Sequence, residues 1–248
     1  MSKLLIISFL FNLLPAILIT QSLTGEDILK KIDKNLVLDE AVSTTTMIIH
    51  SRSGTRTIKS RSWVHGKEKA FVEYLDPPRE RGKKMLRLDD NIWDYIPEPT
   101  DRIITISGHL LKQSVMGSDL SYEDVTENRK LFDMYDAKIE NMEEFNGREC
   151  YVILLTAKEA DITYYSRKVW ADKERWLPLK EERYAKSGRL LKKTEIQEVM
   201  KVDNRWYPKK MNFKDMLLSG EGTDYIIDSI DFNVDIPEYK FTKAALRK

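Results

Sequence analysis

The chain is poor in the residues that mark several common protein classes. Its 248 residues include one cysteine, Cys150, so no internal disulfide is possible. In a strand such a cysteine reads as a small buried hydrophobe. The three histidines, His50, His65 and His109, include no pair at metal-ligand spacing. No phosphate-binding glycine loop, nucleophile elbow or zinc motif occurs. Ten glycines and eight prolines argue against a collagenous or long disordered segment. Charge of one sign is also missing: 41 Lys and Arg face 40 Asp and Glu, a net +1. That balance excludes a dedicated nucleic-acid binder, which would carry a basic excess. Catalysis needs positioned acids, bases or a nucleophile, and none is legible. The expectation is a non-enzyme without cofactor or metal.

Long apolar runs are confined to the start. Lys3 precedes an apolar stretch from Leu4 to Ile19, and Thr20 and Ser22 are small residues suited to cleavage after Ser22. This pattern reads as a cleavable signal peptide over residues 1–22, exporting a mature chain of residues 23–248. The stretch is short for a membrane span, which needs about 20 apolar residues.

Thr24 and Asp27 form a capping pattern, and Ile28, Leu29, Ile32 and Leu36 follow at helical spacing. From Thr44 the period changes to two. Short alternating segments follow, punctuated by turns such as Ser53-Gly54, Asp76-Pro77-Pro78-Arg79 and Asn146-Gly147. They amount to about 11 strands. Two short helices are expected in the middle, His109 to Met116 and Ser121 to Lys130, split by Gly117-Ser118-Asp119. Short turns force antiparallel neighbours. No linker or composition shift divides residues 23–248, so they read as a single domain. The fold class is mainly β (α+β), one strongly curved antiparallel sheet with helices over its concave face. Such a sheet encloses an apolar interior.

Aromatic and Met side chains on strands are candidates for lining that interior: Trp63, Phe71, Trp93, Trp170, Met211 and Phe213. Leu110, Leu111 and Met116 are the candidates on the central helical segment. Alternation on the strand after Tyr207 predicts Met211, Phe213 and Leu217 facing inward, with Lys210, Asn212 and Lys214 facing water. A basic cluster, Arg52, Arg56, Lys59 and Arg61, surrounds the Ser53-Gly54 turn and suits a hairpin tip or an anionic partner.

Several stretches resemble the LolA-like family of outer-membrane lipoprotein-sorting proteins. They are Leu75 to Gly82, Leu86 to Trp93, Ile106 to Gly108, Met116 to Asp124 and Phe241 to Leu246, in the family's order. The resemblance implies an unclosed antiparallel barrel wrapped over helices, with a hydrophobic cavity. It implies a periplasmic carrier of a lipid or of the acyl chains of a lipoprotein, acting as a monomer. It also implies a possible partner among inner-membrane transporters of the resistance-nodulation-division type. In the family an arginine helps gate the cavity; Arg61 and Arg87 are the candidates here, and the choice between them stays open. Two other classes remain: an envelope sensor or adaptor in which lipid binding only regulates docking, and an enzyme acting on an envelope lipid.

Overall fold

The computed structural model describes residues 22–232 and 234–248. The signal peptide expected at residues 1–22 lies outside them except for Ser22. The chain opens with α1 (Gly25–Leu36), capped by the reciprocal Thr24 and Asp27 bonds that its sequence calls for. Strands β1 (Glu40–Ser51), β2 (Gly54–His65), β3 (Lys69–Asp76), β4 (Lys84–Leu88), β5 (Asn91–Ile96) and β6 (Arg102–Ile106) follow as a meander. A crossing segment carries α2 (Tyr122–Thr126) and α3 (Leu131–Met134). A second meander comprises β7 (Tyr135–Phe145), β8 (Arg148–Ala157), β9 (Ser166–Asp172), β10 (Pro178–Tyr184), β11 (Leu190–Val202), β12 (Arg205–Asp215) and β13 (Gly222–Phe232).

The 13 strands of the described residues form one sheet, ordered β6-β5-β4-β3-β2-β1-β13-β12-β11-β10-β9-β8-β7. Every pairing is antiparallel, and β6 and β7 never meet, so the barrel is unclosed. The fold expectation holds, with 13 strands rather than about 11; the five- and six-residue strands β4 to β6 are full members of the ladder. The two meanders are joined by the β1–β13 seam, where Met47 faces Tyr225 and Thr45 faces Ile227.

Directly paired residues share a face, so register traces the inner surface across the sheet. It runs from Ile153 to Val169, Glu181, Thr194, Phe213, Thr223 and Ile49. Helix α1 lies on this face. Ile28, Leu29 and Ile32 are fully buried with Ile153, Leu155, Val169 and Ala171. Gly25 allows the approach, since a Cβ there would stand 2.5 Å from the Ala137 carbonyl oxygen.

The outer face is covered too. Val42, Trp63, Phe71, Leu86 and Trp93 pair in one stripe across β1 to β5. The C-terminal tail packs over it through Ile236, Phe241, Ala245 and Leu246. Lys240 sets its ammonium 3.7 Å from the Trp63 ring, and Lys243 stands 4.1 Å from Trp93. Placing Trp63, Phe71 and Trp93 on the concave side therefore needs correction: they form the seat of the tail. Alternation separates two faces but does not say which is inner when both are apolar.

The two helices expected in the middle are also shorter than their sequence suggested. Residues 108–117 form two 3-10 turns, Gly108–Lys112 and Val115–Gly117, and α2 has five residues. Met116 takes a positive φ of 52°, which an uninterrupted helix cannot contain. Leu217 is corrected as well. Strand β12 ends at Asp215, so Leu217 lies in the following turn, 54% exposed.

Candidate functional site

The inner face of β1 to β4 and β12 to β13 carries small residues where a packed core would carry large ones. They are Ala41, Ser43, Ser60, Ser62 and Ala70. Their short side chains leave a cavity of about 200 Å³, and none of its lining residues is charged. Its wall includes Val72, Tyr74, Met85, Tyr207, Met211, Tyr225, Ile227 and Ile230. That six neighbouring strands line one space shows how far the sheet curls.

The crossing segment between β6 and β7 closes the cavity, with Val115 and Val125 facing it. This lid holds little regular structure and is fastened by side chains. Arg56 donates to the Met116 carbonyl at 2.5 Å. The Asp119 carboxylate accepts from the Asp215 amide at 2.9 Å and from the Thr223 hydroxyl at 2.9 Å. Asn128 spans Leu38 and Gly66. The Tyr122 hydroxyl donates to Asp94 on the inner face of β5.

The strongest fastening is Asp124, in the capping box of α2. Its carboxylate accepts from the Ser121 amide at 2.8 Å, the Tyr164 hydroxyl at 2.7 Å, Arg183 at 3.0 Å and Lys192. Burial works against the charged form, but Arg183 and Lys192 outweigh it and hold the carboxyl well below its usual range. Arg183 also pairs with Glu181, which Arg167 reaches at 2.9 Å. Burial again opposes ionisation there, and the two arginines bring Glu181 down to about 2. Asp124, Tyr164, Arg167, Glu181 and Arg183 line a separate compartment of about 190 Å³ beside α1, with Asp33, Glu123 and Arg129. The interior is thus divided into an uncharged half and an ionic half.

Asp94 behaves oppositely. Burial pushes its carboxyl up to about 6, against the Tyr122 hydrogen bond and Lys83. Its second oxygen has no partner among the described residues. A carboxyl raised above its unfolded value near 3.9 favours the folded state in acid, and that contribution is lost as pH rises from about 4 through 6. Asp94→Asn keeps an acceptor for Tyr122 and removes the charge. It is expected to exceed the parent in stability by about 2 kcal/mol at pH 7.5 and to match it near pH 4. Urea midpoints at the two pH values check this; an equal difference at both would assign the effect elsewhere.

The residues singled out from sequence fall into three groups. Met211 lines the cavity, and Phe213 lies on the same face, packed with Met47 and Tyr74. Leu110 and Leu111 pack on Met85, Ile92 and Ile106 beneath the lid, and Met116 packs on the Met47 cluster. Trp63, Phe71 and Trp93 belong to the outer stripe. Trp170 is also on the face away from α1, with Cys150 and Val152; its indole donates to Glu143 at 2.7 Å, and Lys180 lies 4.0 Å from the ring. Its indole nitrogen and the Lys180 contact suit an outward rather than a cavity role.

Of the two arginines, Arg61 is exposed on the outer face, 5.2 Å from the Trp63 ring. Arg87 pairs with Ala70 and Ile92 on the inner face and donates to the Lys67 carbonyl at 2.6 Å. Sequence reasoning missed the lid's ionic fastening. In the sequence Glu181 and Lys192 look like any other charge on the surface of a strand, and nothing singles out Arg183. Asp124 follows Ser121 by three residues, a helix-capping spacing, and that is the one local mark of an acid in this place.

His50 stands 3.5 Å from Asp224, and His109 is exposed. Burial, with Asp172 nearby, pushes the Cys150 thiol up to about 11, away from reactivity. Among the described residues, no three His, Cys, Asp or Glu side chains are grouped as a metal would require, and no helix is long and apolar enough to cross a membrane.

Solved structures share this architecture. A putative outer membrane lipoprotein-sorting protein domain from Vibrio parahaemolyticus is 22% identical, with a TM-score of 0.78 over 90% of this chain and 98% of that one. A DUF1329 family protein from Desulfovibrio piger is 26% identical, with a TM-score of 0.79 and the same coverage. A LolA superfamily protein from Nitrosomonas europaea is 22% identical, with a TM-score of 0.75 over 90% of this chain and all of that one. Among curated proteins, none matches the chain. A family model, DUF1329-like and described as "Uncharacterized protein", matches residues 66–248. That span is well over half of the sequence; the chain belongs to this DUF1329-like family and carries the LolA-superfamily fold.

Proposed function

We propose that this protein is a periplasmic carrier that holds a lipid, or the acyl chains of a lipoprotein, between its lid and the inner face of its sheet. The observation that carries the reading is the uncharged cavity under a lid fastened by side chains. Apolar burial worth about 25 cal/mol per Å² drives acyl chains into such a space. At about 200 Å³ the cavity is smaller than the ~300–1,000 Å³ usual for ligand sites. A long acyl chain therefore enters by displacing the lid, and re-closure of the lid favours release. The solved structure named as a putative lipoprotein-sorting domain supports this role. A transporter of the resistance-nodulation-division type is a suitable donor or acceptor, and chemistry on the lipid is not part of the proposal.

The test is transfer. Protein exported with its own leader is extracted, and bound lipid is identified by mass spectrometry. The loaded protein is then incubated with phosphatidylethanolamine–phosphatidylglycerol vesicles. Co-purification followed by movement of the lipid to the vesicles is the expected result. Binding without transfer would favour a sensor or adaptor, and no bound lipid from any preparation would defeat the reading.

A further inference from the structure

The cavity is uncharged but not uniformly apolar. Along the middle of its floor, β1 and β2 place hydroxyls opposite one another on two successive inner rungs. Ser43 pairs with Ser62, Oγ to Oγ at 2.7 Å. Thr45 pairs with Ser60, Oγ1 to Oγ at 3.0 Å, both buried. The strips on either side are apolar or aromatic. Ile230 and Ile227 are the β13 partners of Ser43 and Thr45, and Val72 and Tyr74 are the β3 partners of Ser62 and Ser60. The result is a polar stripe two strands wide between two greasy strips.

Hydrogen counting says what the stripe lacks. Two hydroxyls bonded to each other use one of their two hydrogens. The Ser43–Ser62 rung is left with one donor. The Thr45–Ser60 rung counts the same way, so again one hydrogen remains. A donor without a partner among apolar walls costs about 1–3 kcal/mol. Alanine at these positions would have avoided that cost. The stripe offers two donors, one per rung, and no charge.

We propose that this stripe is a recognition site for the ester carbonyls of a glyceryl-linked diacyl lipid, one carbonyl per rung and one chain along each apolar strip. A free fatty-acid anion is disfavoured, because no cation lines the cavity to pair with it. A plain hydrocarbon leaves both donors unmet. This inference rests on the carrier reading and adds the class of ligand to it.

The experiment compares 1,2-dioctanoylglycerol with its diether analogue 1,2-dioctylglycerol, which has the same chains without the carbonyls. Each displaces a fluorescent N-phenylnaphthylamine reporter from the full-length mature protein. The parent is expected to prefer the ester about tenfold. In Ser43→Ala/Ser62→Ala that preference is expected to fall toward one. Removing both partners of a rung together leaves no hydroxyl unpaired, which keeps the cost to folding small. Thr45→Val/Ser60→Ala tests the second rung independently. Equal binding of ester and ether by the parent would overturn the inference while leaving the carrier reading intact. A tenfold preference that survives both double variants would also overturn it, since the hydroxyls would then not be its source. If neither lipid binds, the carrier reading itself fails, and this one with it.

Discussion

Asp124→Ala is expected to cost about 3–5 kcal/mol of folding stability, the range for removing one partner of a buried ion pair. The substitution leaves Arg183 and Lys192, 13% and 12% exposed at their side chains, without the carboxylate that both contact. It also removes the acceptor of the α2 capping box and of the Tyr164 hydroxyl. The pH dependence gives a second signature. The folded pKa of Asp124 is depressed, so its contribution is present above the unfolded value near 3.9 and fades as pH falls below it. The gap between parent and variant should be full at pH 7 and narrower near pH 3. Guanidinium unfolding at the two pH values measures both. A loss under 1 kcal/mol at pH 7 would mean that the lid is not held by this carboxylate.

The second large effect separates the two faces of the sheet. Ser62→Phe places a ring in the cavity and leaves the Ser43 hydroxyl without its partner, so it should cost only about 1–3 kcal/mol, while bound lipid is lost. Phe71→Ala, on the neighbouring strand but the opposite face, removes a side chain only 1% exposed beneath the C-terminal tail. It should cost about 3–5 kcal/mol. Lipid should still be bound by the fraction that remains folded. Thermal melts and lipid extraction from both variants test the pair. The reverse pattern, a stable Phe71→Ala without lipid and an unfolded Ser62→Phe, would exchange the roles assigned to the two faces.

The strand segments and their turns were readable because alternation and turn chemistry are local signals. Asn146-Gly147 sits between β7 and β8, and Ser53-Gly54 leads from the β1 turn into β2. Helix α1 was readable for the same reason, from Ile28, Leu29 and Ile32 at helical spacing. The cavity was harder, because it is defined by what is small. A search for large apolar residues finds Trp63, Phe71 and Trp93, which fill space on the outer face. The residues that leave space inside, Ser43, Ser62 and Ala70, look like ordinary strand positions. Met211 was found because β12 alternates cleanly with Lys210 and Asn212. The ionic fastening was out of reach, since Asp124 and Lys192 are 68 residues apart and only the folded chain joins them.

The order of the strands has a consequence for assembly. Within each meander, every strand pairs with the one before it, so its contacts are short in sequence and form quickly. The seam between β1 and β13 is different, because it joins residues 40–51 to residues 222–232. The hydroxyl rungs come from the first meander and Met211, Tyr225 and Ile227 from the second. The compartment consequently comes into being only when the two meanders join along this seam, late in folding. A chain still emerging would display two incomplete troughs rather than a finished receptacle, and premature capture of an amphiphile would be limited by topology alone.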